Sequence, residues 1–157
     1  MLTLLRRFVT MAALMVWQGG FIFYTAVVVP IGTAFLGTAT RQGFITRQVT
    51  ASMNVCGAIA LGLMVWELAA CQDTQKLRRG CRLALYVGMV GAAVALFVLH
   101  ARLDALLDVD SESVLDRTSF RPLHRAYLWI SSCQWVMAVI FLMLTLAGWQ
   151  NEDRRSK

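Results

Sequence analysis

Charge is scarce in this 157-residue chain: only 15% of residues are Asp, Glu, Lys or Arg, against about 25% in a typical soluble domain. Two prolines leave little room for long loops, and two histidines give few ligands for a metal. The low charge and 58% apolar content exclude a disordered tail and argue against a soluble enzyme. Four cysteines are too few and too irregularly spaced for a disulfide scaffold or a zinc or redox motif. Cys71 and Cys81 flank a short basic loop, and Cys56 and Cys133 fall inside apolar runs, where small buried hydrophobes are expected. No P-loop, GxGxxG or nucleophile–base arrangement is present, which removes hydrolase and nucleotide chemistry. Internal repeats and low-complexity stretches are also absent.

What is present is long apolar sequence, with a mean hydropathy of +0.60. A membrane-spanning helix needs about 20 mostly apolar residues. Four segments qualify, at about 11–36, 51–71, 83–100 and 127–149. Their continuity reads as helix rather than as alternating barrel strands. The first run is too long for a signal-peptide core and no A-x-A site closes it, so it reads as an uncleaved helix. Short first and second connections force antiparallel neighbours, giving an all-α, four-helix up-down membrane bundle in one domain.

The net charge of +6 reflects topology and contact with anionic headgroups rather than nucleic acid. With the N-terminus inside, the inner flanks hold nine basic residues, Arg6, Arg7, Lys76, Arg78, Arg79, Arg82, Arg154, Arg155 and Lys157. The outer flanks hold six, so N-in and C-in is favoured; a bacterial cytoplasmic membrane is the expected location. The outer segment 102–125 carries Leu103, Leu106, Leu107, Val114 and Leu115, which suggest an amphipathic piece on the membrane surface. Pro122 is expected in the first turn of the last helix. Asp108 to Glu112 resembles the start of a calcium loop but lacks its glycine, and reads as solvated acid surface.

Small residues in membrane helices mark close contacts. Ala84, Gly88 and Ala92, with Gly91 beside them, and Ala58 with Gly62 are expected contact faces, or a homodimer seam. Gly19, Gly20 and Pro30 suggest a bent or loosened first helix, which must face protein or a wet cavity. Trp66, Trp129 and Trp149 are expected at the interfaces.

Polar groups within spans are the default places to look for function. Gln18, Asn54 and Gln134, with Ser131 and Ser132, are expected to form interhelical hydrogen bonds. Glu67, the single acid in a span, reads as an interfacial salt bridge to Arg6, Arg7, Arg78, Arg79 or Arg82; a proton-carrying role is the alternative. His100 closes the third span and His124 opens the fourth, both on the outer side. Two imidazoles there offer axial haem ligation or a copper or zinc site, with Asp104 or the other outer acids as a third ligand; interfacial hydrogen bonding is the alternative.

Two stretches carry a family resemblance: Trp17-Gln-Gly-Gly-Phe-Ile-Phe-Tyr-Thr-Ala-Val-Val-Val-Pro30, and Phe120-Arg-Pro-Leu-His-Arg-Ala-Tyr127. With four spans, the chain resembles the transmembrane-protein-205-like family, whose first helix is Gly-rich and ends in Pro and whose last helix follows a Leu-His pair. Gly19, Gly20, Pro30, Leu123 and His124 match that pattern. The resemblance implies a small four-helix membrane protein linked to trafficking or tolerance of toxic compounds, and transfers no catalytic residue. The first helix is also distantly similar to copper-resistance membrane domains and small membrane protoporphyrinogen oxidases. Those carry a His in or before that helix, whereas this chain has none before His100.

Three functional readings follow. The first is a non-enzymatic binding or accessory subunit of a larger membrane complex, with an outer pocket near Tyr24, Asn54, His100, His124 and Gln134. The second is a haem or metal redox protein using His100 and His124. The third is a small homo-oligomeric carrier using Glu67 and the bent first helix.

Overall fold

The structure, a computed structural model, describes residues 1–71, 73–108 and 113–155. The apolar runs fold as four long rods, each long and apolar enough to cross a membrane: Leu2–Leu36, Thr40–Ala70, Lys76–Asp104 and Arg117–Arg154. The first is continuous but not uniform: α1 (Leu2–Phe23), a π-helical turn (Tyr24–Val28) and α2 (Val29–Leu36). Then come α3 (Ala39–Ala70), α4 (Lys76–Asp104), two short strands β1 (Leu107–Asp108) and β2 (Ser113–Val114), and α5 (Arg117–Arg155). At 1.5 Å per residue α5 is about 58 Å long, well beyond the roughly 30 Å of a bilayer's hydrocarbon core. The helices therefore extend past the apolar runs at their ends.

Local chemistry sets the breaks. Pro30 has no N–H to give the carbonyl one turn back, so the helical ladder must rearrange before it. It does so as the π turn, where the Val29 N–H donates to Tyr24 O. The loosened turn is thus beside Pro30 rather than at Gly19 and Gly20. Both glycines lie in regular helix, and a Cβ at either would meet nothing within 4 Å. α2 ends at Gly37, whose φ of 72° a side chain would disfavour. Thr38 then caps α3 by accepting the Arg41 N–H at 3.3 Å.

The segment between α4 and α5 holds no surface helix among its described residues. β1 pairs antiparallel with β2, Leu107 opposite Val114; Val109, Asp110, Ser111 and Glu112 lie outside the described residues. Asp116 caps α5 by accepting the N–H groups of Thr118 and Ser119. Hydrogen bonds from the Ser119 side chain and from these backbone groups hold its carboxyl below the usual carboxylate range. This cap starts α5 early enough that Pro122 falls inside the helix, not in its first turn.

The four rods alternate in direction. α4 packs most extensively on α5, α1 on α3, and α3 on α4, whereas α1 and α5 barely touch. Leu14, Trp17, Leu61, Met64, Met89, Ala138 and Phe141 form the main core. A second cluster, Leu96, Leu103 and Tyr127, joins α4 to α5 nearer β1. Gly57 and Gly88 are the close approaches. A Cβ at Gly57 would lie 2.8 Å from Trp17 Nε1, and one at Gly88 2.9 Å from Met137 Sδ. Of the expected contact faces, Gly88 and Ala92 point inward, while Ala58, Gly62, Ala84 and Gly91 are exposed. The inward face of α3 is one residue off that register, along Gly57, Ala60, Leu61, Met64 and Glu67. Cys56, Cys81 and Cys133 are exposed and all four cysteines are free, because they too fall on outward helix faces. Phe8, Phe35, Val94, Trp129 and Met143 also face outward.

One end of the bundle is held by charge. Glu67 is fully buried, and its salt bridges run to Arg6 and Arg82, two of the expected partners. Arg6 Nε lies 3.0 Å from Glu67 Oε2, and Arg82 Nη2 donates to Oε1 at 3.0 Å. Trp149 Nε1 also donates to Oε1, at 2.9 Å, so Trp149 is a buried partner of the carboxylate. Arg6 continues to Glu152 at 2.7 Å, and Arg7 pairs with Glu152 and Asp153. The network ties α1, α3, α4 and α5 together. Arg78 turns aside to Asp73 in the connection, with Nη2 2.6 Å from Oδ1. That guanidinium holds the Asp73 carboxyl below its ordinary range.

Removing one partner from such a cluster leaves uncompensated buried charge, at about 3–5 kcal/mol. Glu67→Gln is therefore expected to lower unfolding stability by about that much, with part regained in Glu67→Gln/Arg82→Gln. Reversible unfolding in detergent micelles measures it. A loss below about 1 kcal/mol, typical of exposed pairs, would contradict the buried network.

Candidate functional site

At the opposite end the rods enclose a cavity of about 660 Å³, within the about 300–1,000 Å³ range of small-molecule sites. It follows from the packing. α1 and α5 are joined at the charged end through Arg6, Arg7, Glu152 and Asp153, and elsewhere they barely touch. Residues from all four rods line the resulting space. Its walls are mostly apolar, including Phe21, Val29, Leu96, Leu103, Phe120 and Leu128.

Tyr24, Asn54, His100, His124 and Gln134 all line this one cavity. Tyr24 is the buried member of the π turn. Its hydroxyl donates to Thr46 Oγ1 at 2.8 Å, and Thr46 in turn donates to Gln42 O at 2.9 Å. The extra residue of the π turn thus sets Tyr24 against α3. Tyr127 donates to Asn54 Oδ1 at 3.0 Å, bridging α5 and α3. Gln134 Nε2 donates to Met89 O at 2.9 Å, bridging α5 and α4. Asn54 and Gln134 thus make interhelical hydrogen bonds. Ser131 instead bonds locally to Tyr127 O. Ser132 is exposed.

The two histidines share the cavity but differ in setting. His124 is half-buried and stacks on Phe120, with ring centroids 5.7 Å apart. Asp104 is not a third ligand beside them. Arg47 grips it with two bonds, one from Nε and one from Nη2 at 2.9 Å. Among the described residues no group of three or more His, Cys, Asp or Glu is arranged to hold a metal ion.

Sequence reasoning named Gln18 and Asn54 but missed Gln42 and Trp135, which also distinguish the cavity. Gln42 is 3% exposed, and neither its Oε1 nor its Nε2 has a hydrogen-bond partner in the protein. Gln18 Oε1, expected to bond across helices, has none either. Asn54 Nδ2 and Trp135 Nε1 are likewise buried without a protein partner. All four side chains line the cavity. Native proteins pair the great majority of buried polar atoms with protein or solvent, and these five, from α1, α3 and α5, line one cavity. Gly32 makes room for Gln42: a Cβ there would lie 2.0 Å from Gln42 Oε1. The available signal was the polar series Gln18, Gln42 and Asn54 in otherwise apolar helices.

Desolvating an unsatisfied polar group costs about 1–3 kcal/mol. Gln42→Leu, which removes the amide at similar volume, is expected to raise the thermal unfolding midpoint of the ligand-free protein. A lowered midpoint would show that the amide is satisfied within the fold.

No family model, curated protein or solved structure matches the chain.

Proposed function

We propose that this is a non-enzymatic integral membrane protein that binds a small, largely apolar molecule with hydrogen-bonding groups inside its helical bundle. One observation carries the reading. Five buried polar atoms on four side chains, Gln18, Gln42, Asn54 and Trp135, have no partner in the protein and line a single apolar-walled cavity. A bound molecule that accepts from Trp135 Nε1 and bonds the amides satisfies them, while its apolar part meets the walls. Amides and an indole suit recognition rather than bond breaking. The apolar outward faces suit acyl chains. The bias of Lys and Arg toward the Arg6 end supports a cytoplasmic side there, leaving the cavity in the outer half. Glu67, held by Arg6, Arg82 and Trp149, suits a structural role rather than proton carriage.

Gly43 provides a clean test. It lines the cavity, and a Cβ there would meet nothing within 4 Å, so a side chain can start there without displacing packed atoms, and Gly43→Phe is expected to fill the space. Native mass spectrometry of the protein extracted in mild detergent is expected to show a small-molecule adduct at 1:1 stoichiometry. The adduct is expected to disappear in Gly43→Phe while the unfolding midpoint is kept. Wild-type protein without an adduct, or an adduct that survives the substitution, would contradict the proposal.

A further inference from the structure

The charge at the mouth of the cavity identifies the kind of headgroup its ligand carries. Among the described residues, Arg6, Arg7, Arg47, Arg78 and Arg82 are consumed in ion pairs. Arg117 and Arg121 are different. They line the cavity from the first turns of α5, one helical turn apart and on the same face. Neither has an ion-pair partner among the described residues. Among the described residues the acids near them are already engaged: Asp104 is bound by Arg47, Asp116 caps the helix, and Asp108 has an interaction of its own. The mouth thus presents two guanidinium groups that none of these carboxylates pairs. The Gln42 amide, 3% exposed and unpartnered, lies at the same end, near the start of α3; deeper in, the groups are uncharged, the Asn54 amide and the Trp135 indole. The cavity is therefore polarised along α5, cationic at its mouth and apolar with neutral donors at its floor. The ten residues from Arg121 to Ser131 span about 15 Å, room for a medium-length alkyl chain.

We infer that the ligand is an anionic amphiphile, with a phosphate or carboxylate headgroup on Arg117 and Arg121 and an apolar tail running inward between α1 and α5. This rests on the binding function proposed above. Guanidinium groups suit such oxyanions because their planar fork of N–H donors matches the oxygen spacing.

Calorimetric titration of the full chain in maltoside micelles tests it, with decyl phosphate, decanol and inorganic phosphate as probes. Binding in the cavity is the part lost in Gly43→Phe. Decyl phosphate is expected to bind about tenfold tighter than decanol, as charge-assisted hydrogen bonds outweigh neutral ones. Arg117→Gln/Arg121→Gln is expected to erase that preference, and Arg117→Lys/Arg121→Lys to keep most of it. Both positions are exposed, and the unfolding midpoint of each variant checks its fold. Equal affinity for decyl phosphate and decanol, or a preference that survives the double Gln variant, would overturn the headgroup assignment and leave the binding function standing. Inorganic phosphate binding as tightly as decyl phosphate would replace the amphiphile with a free anion and overturn the inference. Cavity binding of none of the probes overturns it; if native mass spectrometry also shows no Gly43→Phe-sensitive adduct, the binding function falls as well.

Discussion

A carboxylate sealed inside an apolar bundle imposes its own terms on the structure around it. Glu67 has no contact with solvent, and an isolated charge there would cost far more than a fold of this size can bear. Arg6 from α1, Arg82 from α4 and Trp149 from α5 meet it. Each has to be at the same depth as Glu67, which fixes how far every helix reaches at that end. Arg6 and Arg7 then engage Glu152 and Asp153, and Arg7 lies 5.3 Å from the centre of the Trp149 ring. Four rods are thereby joined at one end by charge and aromatic contact, where apolar packing alone sets no register.

The other end has no equivalent clamp between α1 and α5. Its ties run between different pairs: Arg47 to Asp104 for α3 and α4, Tyr127 to Asn54 for α5 and α3, and Tyr24 to Thr46 for the π turn and α3. The gap between first and last rods remains, and the polar atoms of Gln18, Gln42, Asn54 and Trp135 line it. π-turns inside α-helices are frequent at functional sites. Here the turn before Pro30 shifts the helix face so that Tyr24 is buried while Pro30 points outward. The hydrogen-bond rearrangement before the proline thus contributes to the shape of the cavity.

The four helices were legible because long apolar runs have few alternatives. The five residues grouped as an outer pocket share a cavity because depth in an antiparallel bundle follows from distance to the nearest turn. The same rule makes the Glu67–Arg82 and Arg47–Asp104 pairs readable, since each pair straddles the α3–α4 connection roughly symmetrically. What escaped was rotation about the helix axes. Ala58 and Gly62 have the spacing of a contact face, but so do Gly57, Ala60, Leu61 and Met64, and only packing chooses between them. Periodicity is weak when all faces of a helix are apolar, which is why Cys56 and Cys133 were expected inside and are found outside. Gln42 escaped because it precedes the apolar run of α3, in a turn that composition alone assigns to a connection. The hairpin of β1 and β2 escaped because short strands leave little pattern.

A density map of the protein in a lipid nanodisc tests the central claim most directly: a bundle clamped by buried charge at one end and parted around a bound molecule at the other. Arg6, Arg82 and Trp149 are expected around Glu67, with non-protein density between α1 and α5 within hydrogen-bonding distance of Gln42 and Trp135. A map in which α1 and α5 close on each other along their length, with Gln18, Gln42, Asn54 and Trp135 bonded to protein, would contradict it.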